Sequence, residues 1–214
     1  MIKPLLSQFQ NIGVIQAQLT DEDLAPIWQE VNEIKDNFSS AEPYNNHLVG
    51  NLEREYNLPK SKNYIAQLLM PLITKYEANA NLEFFSTVNH KSAIVLDSTW
   101  VNFQKKYEFN PVHNHTGVYS FVLWLDIPYD IEDEKQSDPA RNSSEPCAGN
   151  FSFLYTNTMG VITPFNISCS KELNGTLLLF PAKMMHCVYP FYTSDEYRIT
   201  VSGNFTQTLL PNAE

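Results

Sequence analysis

Basic residues are scarce in this sequence. Its 214 residues include 14 Lys and Arg against 24 Asp and Glu, which gives a formal net charge of −10. The longest basic run is the pair Lys105-Lys106, so the chain lacks the basic patch with which nucleic-acid-binding proteins neutralise phosphates. We therefore expect no binding to duplex nucleic acid.

Long apolar runs and paired cysteines are missing as well. No apolar stretch approaches the roughly 20 residues of a membrane-spanning helix, and residues 1–10 lack the apolar core of a signal peptide. The three cysteines, Cys147, Cys169 and Cys187, are odd in number and irregularly spaced, which favours reduced thiols over a disulfide framework. We expect a cytoplasmic protein that does not enter a membrane.

The apolar content is sufficient for one folded domain. Hydrophobic residues make up 43% of the chain, as in a globular protein and unlike a disordered one. A chain of this length can bury a sizeable core. Neither an internal repeat nor a linker divides the sequence, so we expect a single domain over residues 1–214.

The N-terminal part predicts a strand and two helices. Residues 11–19 alternate between apolar and polar, as in a strand, and Thr20 then has the position of a helix N-cap, followed by three acidic residues. A second apolar stripe at helical spacing covers residues 60–77, where Pro71 should bend or split the helix. Residues 39–59 between the two helices are polar and rich in turn formers.

From about residue 82 onward the pattern changes to short β-strands separated by turns, which predicts a sandwich, a jelly roll or a barrel. Residues 129–150 differ from the rest, because they are acidic, polar and contain two prolines. They predict a long loop that could act as a lid and be mobile. The predicted strands are residues 82–88, 92–104, 118–127, 150–155, 159–163, 175–180, 186–189 and 197–206.

Two histidines, His113 and His115, stand one residue apart in the stretch 110–117, Asn-Pro-Val-His-Asn-His-Thr-Gly. Residues two apart on a strand share a face, so the pair can offer two imidazole nitrogens to one metal ion. His186 follows a later apolar run, and Arg198 begins another. Two nearby histidines can also be polar surface residues, but the added histidine and arginine favour a metal site.

These residues resemble the 2-oxoglutarate- and Fe(II)-dependent oxygenases, in the subgroup of small proteins from bacteria and their viruses that carry H-x-H where others carry H-x-D. The resemblance covers about residues 98–205. The residues that carry it are Trp100-Val101-Asn102, His113-Asn114-His115, Gly175 through Phe180-Pro181, His186, and Arg198 through Asn204.

The resemblance implies a fold that is mainly β with N-terminal helices. Its core would be a double-stranded β-helix, a cupin-like jelly roll, over residues 98–206, and residues 1–97 would add a helical support region and the first strands. In this fold Fe(II) would be bound at the mouth by His113, His115 and His186.

The resemblance also implies 2-oxoglutarate and O2 as cosubstrates. Arg198 would bind the distal carboxylate of 2-oxoglutarate by a bidentate ion pair, and Asn102 could reach the cosubstrate from a neighbouring strand. Because His115 replaces an acid, the Fe(II) site would keep a formal charge of +2 instead of +1. The alternative third ligand, Asp126, lies at the far end of the following strand and is too distant unless the chain folds back.

The activity that the resemblance implies is hydroxylation of an unidentified substrate. The substrate could be a small molecule, a peptide or a protein, with a prolyl or other amino-acid side chain as the first candidate, and the compartment would be the host cytoplasm if a phage encodes the chain. The residues also permit a cupin-like binding protein or isomerase that holds zinc or manganese without 2-oxoglutarate. A structural jelly roll with incidental histidines is the third possibility. Arg198 separates the first two, since a cupin needs no carboxylate anchor.

Overall fold

The computed structural model describes residues 13–80 and 92–209. Within these ranges the chain forms ten strands and three α-helices, together with short 3-10 turns. The elements in order are β1 (Ile15–Gln18), α1 (Asp21–Asp36), β2 (Glu55–Asn57), α2 (Lys62–Ala80), β3 (Ser92–Gln104), β4 (Asn110–His113), β5 (Tyr119–Asp126), α3 (Ile131–Lys135), β6 (Phe151–Thr156), β7 (Ile162–Ile167), β8 (Thr176–Pro181), β9 (Met185–Val188) and β10 (Arg198–Leu209).

The strands make two antiparallel sheets. The larger has the order β1-β8-β5-β10-β3-β2, and the smaller has the order β4-β9-β6-β7. Apart from the β6–β7 hairpin, neighbours in a sheet are distant in sequence, as in a jelly roll. The predicted jelly roll with N-terminal helices is therefore confirmed.

The larger sheet is buried on both faces, and β8 shows how its sequence achieves this. Leu177 and Leu179 pack in a core cluster with the apolar stripes of α1 and α2. Leu178 and Phe180 point the other way, into a second cluster between the two sheets. Successive residues of a strand face opposite sides, so a strand covered on both sides needs an unbroken apolar run.

Both predicted helices are present. Thr20 caps α1 in a reciprocal capping box, in which its hydroxyl accepts from the Asp23 N–H at 3.2 Å and the Asp23 carboxylate accepts from its N–H at 3.0 Å. Helix α2 runs without a break through Pro71, so the proline does not split it. The prolyl residue is exposed, on a side of the helix where water can satisfy the carbonyl that it leaves unpaired.

Other predictions fit less closely. Strands β2 and β4 were not predicted, because each has four residues or fewer and lies among polar residues. Strand β7 begins at Ile162, later than the segment predicted for it. The predicted strand at residues 82–88 lies outside the described residues.

The segment 129–150 is not an open loop. It contains the short helix α3, and it is fixed to the rest of the protein by buried Tyr129, Glu134 and Asn150. This differs from the expected mobile lid, because a few buried anchors can hold a polar segment that has no periodic apolar face.

Candidate metal centre

The pairing of β4 with β9 brings two of the predicted histidines together. His113 lies opposite His186 in this antiparallel pair, and residues directly opposite each other share a face of the sheet. Their ring centroids are 4.2 Å apart. The two residues are far apart in sequence, so the sheet topology is what joins them.

His115 reaches the same point from outside the strand. Strand β4 ends at His113, and the His115 N–H donates to the carbonyl of Ala182 at 2.8 Å. Its ring centroid lies 5.0 Å from that of His113 and 4.9 Å from that of His186. The shared-face argument for a strand therefore does not apply to His115, which is positioned by the chain just before β9.

The three imidazoles have the spacing of metal ligands. One nitrogen from each ring lies within 4.8 Å of the others, and the Nε2 atoms of His115 and His186 are 3.2 Å apart. Two nitrogens bound at about 2.1 Å to one ion are separated by roughly 3.0–3.4 Å. The cluster thus needs little movement to accept an ion.

Backbone carbonyls orient two of the rings. The Nδ1 of His113 lies 2.7 Å from the Pro111 carbonyl, and the Nδ1 of His186 lies 2.9 Å from the Met184 carbonyl. Because a carbonyl only accepts, each Nδ1 carries the proton and each Nε2 keeps its lone pair for the cluster. Metal-binding histidines are commonly oriented in this way.

All three rings are neutral at neutral pH. Burial, together with the other histidines, lowers the pKa of His186 to about 3. Burial, His113 and Lys183 lower the pKa of His115 to about 4, and burial also lowers the pKa of His113. Neutral imidazole is the form that binds a metal, so protons compete weakly for this cluster.

No carboxylate joins the cluster within the described ranges. The group of ligand atoms close enough to hold one ion consists of the three histidines. Asp126 pairs with Ile199 at the end of β5 and is not part of it. The donor set available to a metal is therefore three nitrogen atoms without charge, and it fits the borderline divalent ions Fe(II) and Zn(II).

Arg198 lies at the start of β10, where its side chain is 1% exposed and faces the same cavity as the histidines. Its guanidinium donates to Gln104 Oε1 at 2.6 and 3.2 Å, to the Tyr129 hydroxyl at 2.5 Å, and to the carbonyls of Gly149 and Tyr189 at 3.0 Å each. Arg198 is therefore part of the cavity wall and not a surface residue.

The charge of Arg198 has no partner of opposite sign in the described residues. Its five hydrogen bonds go to neutral oxygens, and Asp195, an acid three residues before it, pairs with Lys106 at 2.7 Å. An uncompensated buried cation is costly unless an anion approaches it. The cavity, about 310 Å³ in volume, offers the space for one.

Asn102 lines the same cavity as the histidines and Arg198. It pairs with Thr200 on one side and with Glu55 on the other, and all three line the cavity. Its Nδ2 donates to Thr200 Oγ1 at 3.0 Å, and its Oδ1 is buried with no partner in the described part of the chain. The predicted position beside a cosubstrate is thus in the cavity wall.

Several residues of this cavity were not predicted. Gln104 and Tyr129 bind Arg198, and Glu55 and Asn110 line the cavity farther along. Of these residues, only Gln104 could have been found from the sequence, because it lies at the end of the strand that pairs with β10. Tyr129 and Glu55 lie in segments that read as polar loops.

His47 and Cys187 lie outside the cluster. His47 is exposed and stacks on Tyr44 at the edge of the cavity, with 4.8 Å between ring centroids. Cys187 is buried next to His186 and is absent from the ligand group, as expected for the opposite face of a strand. His90 lies outside the described residues.

Three solved structures have similar folds. A prolyl-4-hydroxylase from Pseudomonas putida is 14% identical with a TM-score of 0.53, over 91% of this chain and 92% of that one. A prolyl hydroxylase from Trichoplax adhaerens, in complex with a peptide fragment of the oxygen degradation domain of hypoxia inducible factor, is 13% identical with a TM-score of 0.57, over 91% and 83%. AviO1 from Streptomyces viridochromogenes is 12% identical with a TM-score of 0.50, over 95% and 92%. These identities support the fold alone.

Sequence comparison gives the family. No curated protein sequence matches this chain. A family model described as "Putative 2OG-Fe(II) oxygenase" matches residues 98–204, which is half of the chain and runs from β3 into β10. None of the helices in the described residues combines the length and apolarity that a membrane crossing requires. From this match, the chain belongs to the 2OG-Fe(II) oxygenase family.

Proposed function

We propose that this protein is an Fe(II)- and 2-oxoglutarate-dependent dioxygenase that hydroxylates an organic substrate. The observation that carries the proposal is one cavity lined by three neutral imidazoles and by a buried arginine without a carboxylate partner. The first feature suits a divalent metal, and the second suits a dianionic cosubstrate.

In this proposal His113, His115 and His186 bind the iron through their inward-facing nitrogens. The bound Fe(II) and 2-oxoglutarate would together supply the O2-activating chemistry of the family. With three protein ligands, the ion would keep coordination positions for the cosubstrate and O2. The aromatic wall of Phe151 and Phe180 around His186 keeps water from that side of the centre.

Arg198 provides the positive charge for the distal carboxylate of 2-oxoglutarate. Its donors already bind neutral oxygens, so a carboxylate has to take the place of one or more of them. Tyr129 could take part in this exchange: its hydroxyl accepts from Arg198 and donates to the Gly149 carbonyl at 3.0 Å, and it could donate to the carboxylate in place of that carbonyl. Asn102 Nδ2 has a second hydrogen with which it can contact the cosubstrate.

The similar structures suggest a substrate class. Two of the similar structures are prolyl hydroxylases, and one of them holds a peptide. A prolyl or other amino-acid side chain, free or in a peptide, is therefore the first substrate class to test. No feature of the described residues calls for duplex nucleic acid.

A second function has one specific observation in its favour. All five N–H groups of Arg198 are hydrogen-bonded within the protein, as in a structural arginine. If Arg198 only supports the fold, the three histidines would form a cupin-like metal site that works without 2-oxoglutarate.

Anaerobic titration of the protein with Fe(II) and then 2-oxoglutarate separates the two functions. The oxygenase should develop the weak visible charge-transfer band of an iron–2-oxoglutarate chelate, and in air it should form succinate. His113→Ala and His186→Ala should lose tight Fe(II) binding, whereas Cys187→Ala, a neighbour on the opposite face, should keep it. Iron binding without the band would favour the cupin-like function, and full metal content in either histidine variant would overturn both.

A further inference from the structure

The carboxyl group of Glu55 is buried at the cavity and is not part of the histidine cluster. Glu55 begins β2, is 1% exposed and lines the cavity. Among the described residues, the side-chain donor to its carboxylate is Asn45 Nδ2, at the long distance of 3.3 Å. Burial and then the charge of Glu108 raise the pKa of Glu55 to about 7. Since buried ionised groups are normally paired, this carboxylate is short of donors.

Two further oxygens at this end of the cavity also lack donors. Asn102 and Asn110 each have a buried Oδ1 without a partner in the described residues. Asn102 is 6% exposed and lies directly opposite Glu55 in the β2–β3 pair, so the two side chains share a face. Three acceptor groups that border the cavity, the Glu55 carboxylate and the two amide oxygens, are thus short of hydrogen-bond donors.

Gly50 shows that Glu55 and Asn110 face a common space. A Cβ atom at Gly50 would lie 2.2 Å from Asn110 Oδ1 and 3.0 Å from Glu55 Oε1. Both oxygens thus border the volume that the glycine leaves open. Asn110 also faces the cavity although it is an odd number of residues from His113, because the β4–β9 register is irregular between them.

The surroundings of Glu55 supply aromatic faces but no positive charge. The Tyr44 N–H donates to the Glu55 carbonyl at 2.7 Å, and the Tyr44 ring stacks on Trp100 with 5.6 Å between centroids. Among the described residues that line the cavity, Arg198 is the one with a permanent cation, and its donors go to other oxygens. Carboxylate, amide oxygens and aromatic rings are the usual surroundings of a bound organic cation.

We propose that Glu55, Asn102 and Asn110 form a subsite for a cationic nitrogen group of the substrate, an ammonium or a guanidinium. The inference rests on the function proposed above and specifies its substrate class. Asn110 and His113 lie at the two ends of β4, roughly 10 Å apart along the strand. A substrate held by its cation at Glu55 can therefore present a carbon several bonds away to the histidine cluster.

The unpaired acceptors also show that 2-oxoglutarate is not the ligand of this subsite. The carboxylates and the keto group of 2-oxoglutarate offer only acceptor oxygens, which cannot pair with Asn102 Oδ1 or with an ionised Glu55. The donors that these oxygens lack have to come from the other substrate. A cationic nitrogen brings two or more N–H groups together with the charge that Glu55 requires.

The probes for this subsite are N-acetyl-arginine amide and N-acetyl-lysine amide, with N-acetyl-citrulline amide and N-acetyl-norleucine amide as their neutral counterparts. Binding is measured by calorimetry under nitrogen on protein loaded with Fe(II) and 2-oxoglutarate, and on protein loaded with Zn(II) alone. At least one cation should bind about tenfold or more tightly than its neutral counterpart. Glu55→Gln should remove this preference, Asn110→Ala should reduce it, and Glu53→Gln, an exposed carboxylate nearby, should retain it.

Equal binding of cation and neutral counterpart, absence of binding by all four probes, or an unchanged preference in Glu55→Gln would each overturn the subsite. Thermal melts on the same samples establish that the variants are folded, and Asn110→Ala provides an independent test if Glu55→Gln does not fold. The visible band of the iron chelate is recorded in parallel. A missing band with intact cation preference would count against the proposed oxygenase alone, and a normal band without the preference would count against the subsite alone.

Discussion

At the scale of single residues, His115 is where this cavity departs from the facial triad of two histidines and one carboxylate. A third imidazole adds no negative charge, so the proposed iron site keeps a formal charge of +2. The attraction between that site and the dianion 2-oxoglutarate is correspondingly stronger. A substitution at His115 can therefore change the charge of the third ligand without moving the backbone.

Replacing this ligand by an acid should separate metal binding from cosubstrate binding. His115→Asp should keep Fe(II), because a carboxylate can coordinate from the same position, and should weaken 2-oxoglutarate binding about five- to tenfold, because it removes one unit of positive charge. His115→Ala should lose the iron. Asn114→Asp places the same charge on the exposed neighbouring residue and serves as the control in a titration of the visible band. Full iron content in His115→Ala would contradict the assignment of this position as a ligand.

Arg198 is the second residue that decides the function, because it is both a structural donor and the proposed carboxylate anchor. Arg198→Ala should raise the 2-oxoglutarate concentration for half-maximal turnover by roughly one to three orders of magnitude, as expected for one half of a buried charged pair. Fe(II) affinity should be unchanged, since no histidine contacts the guanidinium. Arg198→Lys should recover part of the affinity as a point charge without the planar fork.

The control for this prediction is Arg141→Ala, which removes an exposed arginine paired with Asp138. A merely structural Arg198 predicts a different pattern, in which the Ala variant melts at a lower temperature while its cosubstrate dependence stays the same. Succinate formation measured against 2-oxoglutarate concentration, together with thermal melts, distinguishes the two.

At the scale of elements, the segment 129–150 supports the arginine and does not behave as a free lid. Tyr129 and Gly149 come from its two ends, and both accept hydrogen bonds from Arg198. Gly149 has φ +74°, and a Cβ atom there would lie 2.9 Å from the Tyr129 ring. Only glycine fits this position without strain.

Glu134 of α3 joins this segment to the loop before β10, and its removal should destabilise the protein. The carboxylate is fully buried and accepts from the backbone N–H groups of Tyr192 and Thr193, each at 2.8 Å, and from the Thr193 hydroxyl. Glu134→Ala should lower the free energy of unfolding by about 2–4 kcal/mol, because it leaves buried donors unpaired. Glu132→Ala on the exposed side of the same helix should have an effect near zero. Equal stabilities in urea titrations would show that the segment is held by other contacts.

The strands and helices with long periodic patterns could be predicted from the sequence, and the short elements could not. β5 and β8 have apolar runs because both of their faces are covered, and β10 alternates between apolar residues and polar ones that line the cavity. β2 carries too few residues for a pattern, yet it places Glu55 beside Asn102. The histidine cluster was predictable from H-x-H and His186, whereas the contacts of Arg198 with Tyr129 and Gly149 depend on tertiary packing that no local pattern records.

At the scale of the whole molecule, the cavity carries groups that the fold alone does not stabilise. They include a buried carboxylate with one distant donor and amide oxygens without partners. Each costs free energy in the absence of ligands. Functional sites commonly oppose stability in this way, so removing such a group should make the free protein more stable.

Glu55 provides the sharpest test of this cost, since its contribution depends on pH. Its pKa is about 7 in the folded protein and 4.5 ordinarily, so between these values the folded state binds more protons than the unfolded state. Stability then falls as the pH rises from about 4.5 through 7, and the full penalty is present above pH 7. Glu55→Gln, which cannot ionise, should be more stable than the parent by about 2–3 kcal/mol at pH 8, and this gain should vanish near pH 4.5.

Urea titrations at the two pH values measure the difference, with Glu53→Gln as the exposed control that should show no such trend. A gain independent of pH would mean that the side chain is unfavourable for a reason other than its charge. No gain at pH 8 would mean that the protein itself supplies Glu55 with sufficient donors, which would also remove the need for a cationic ligand at this position.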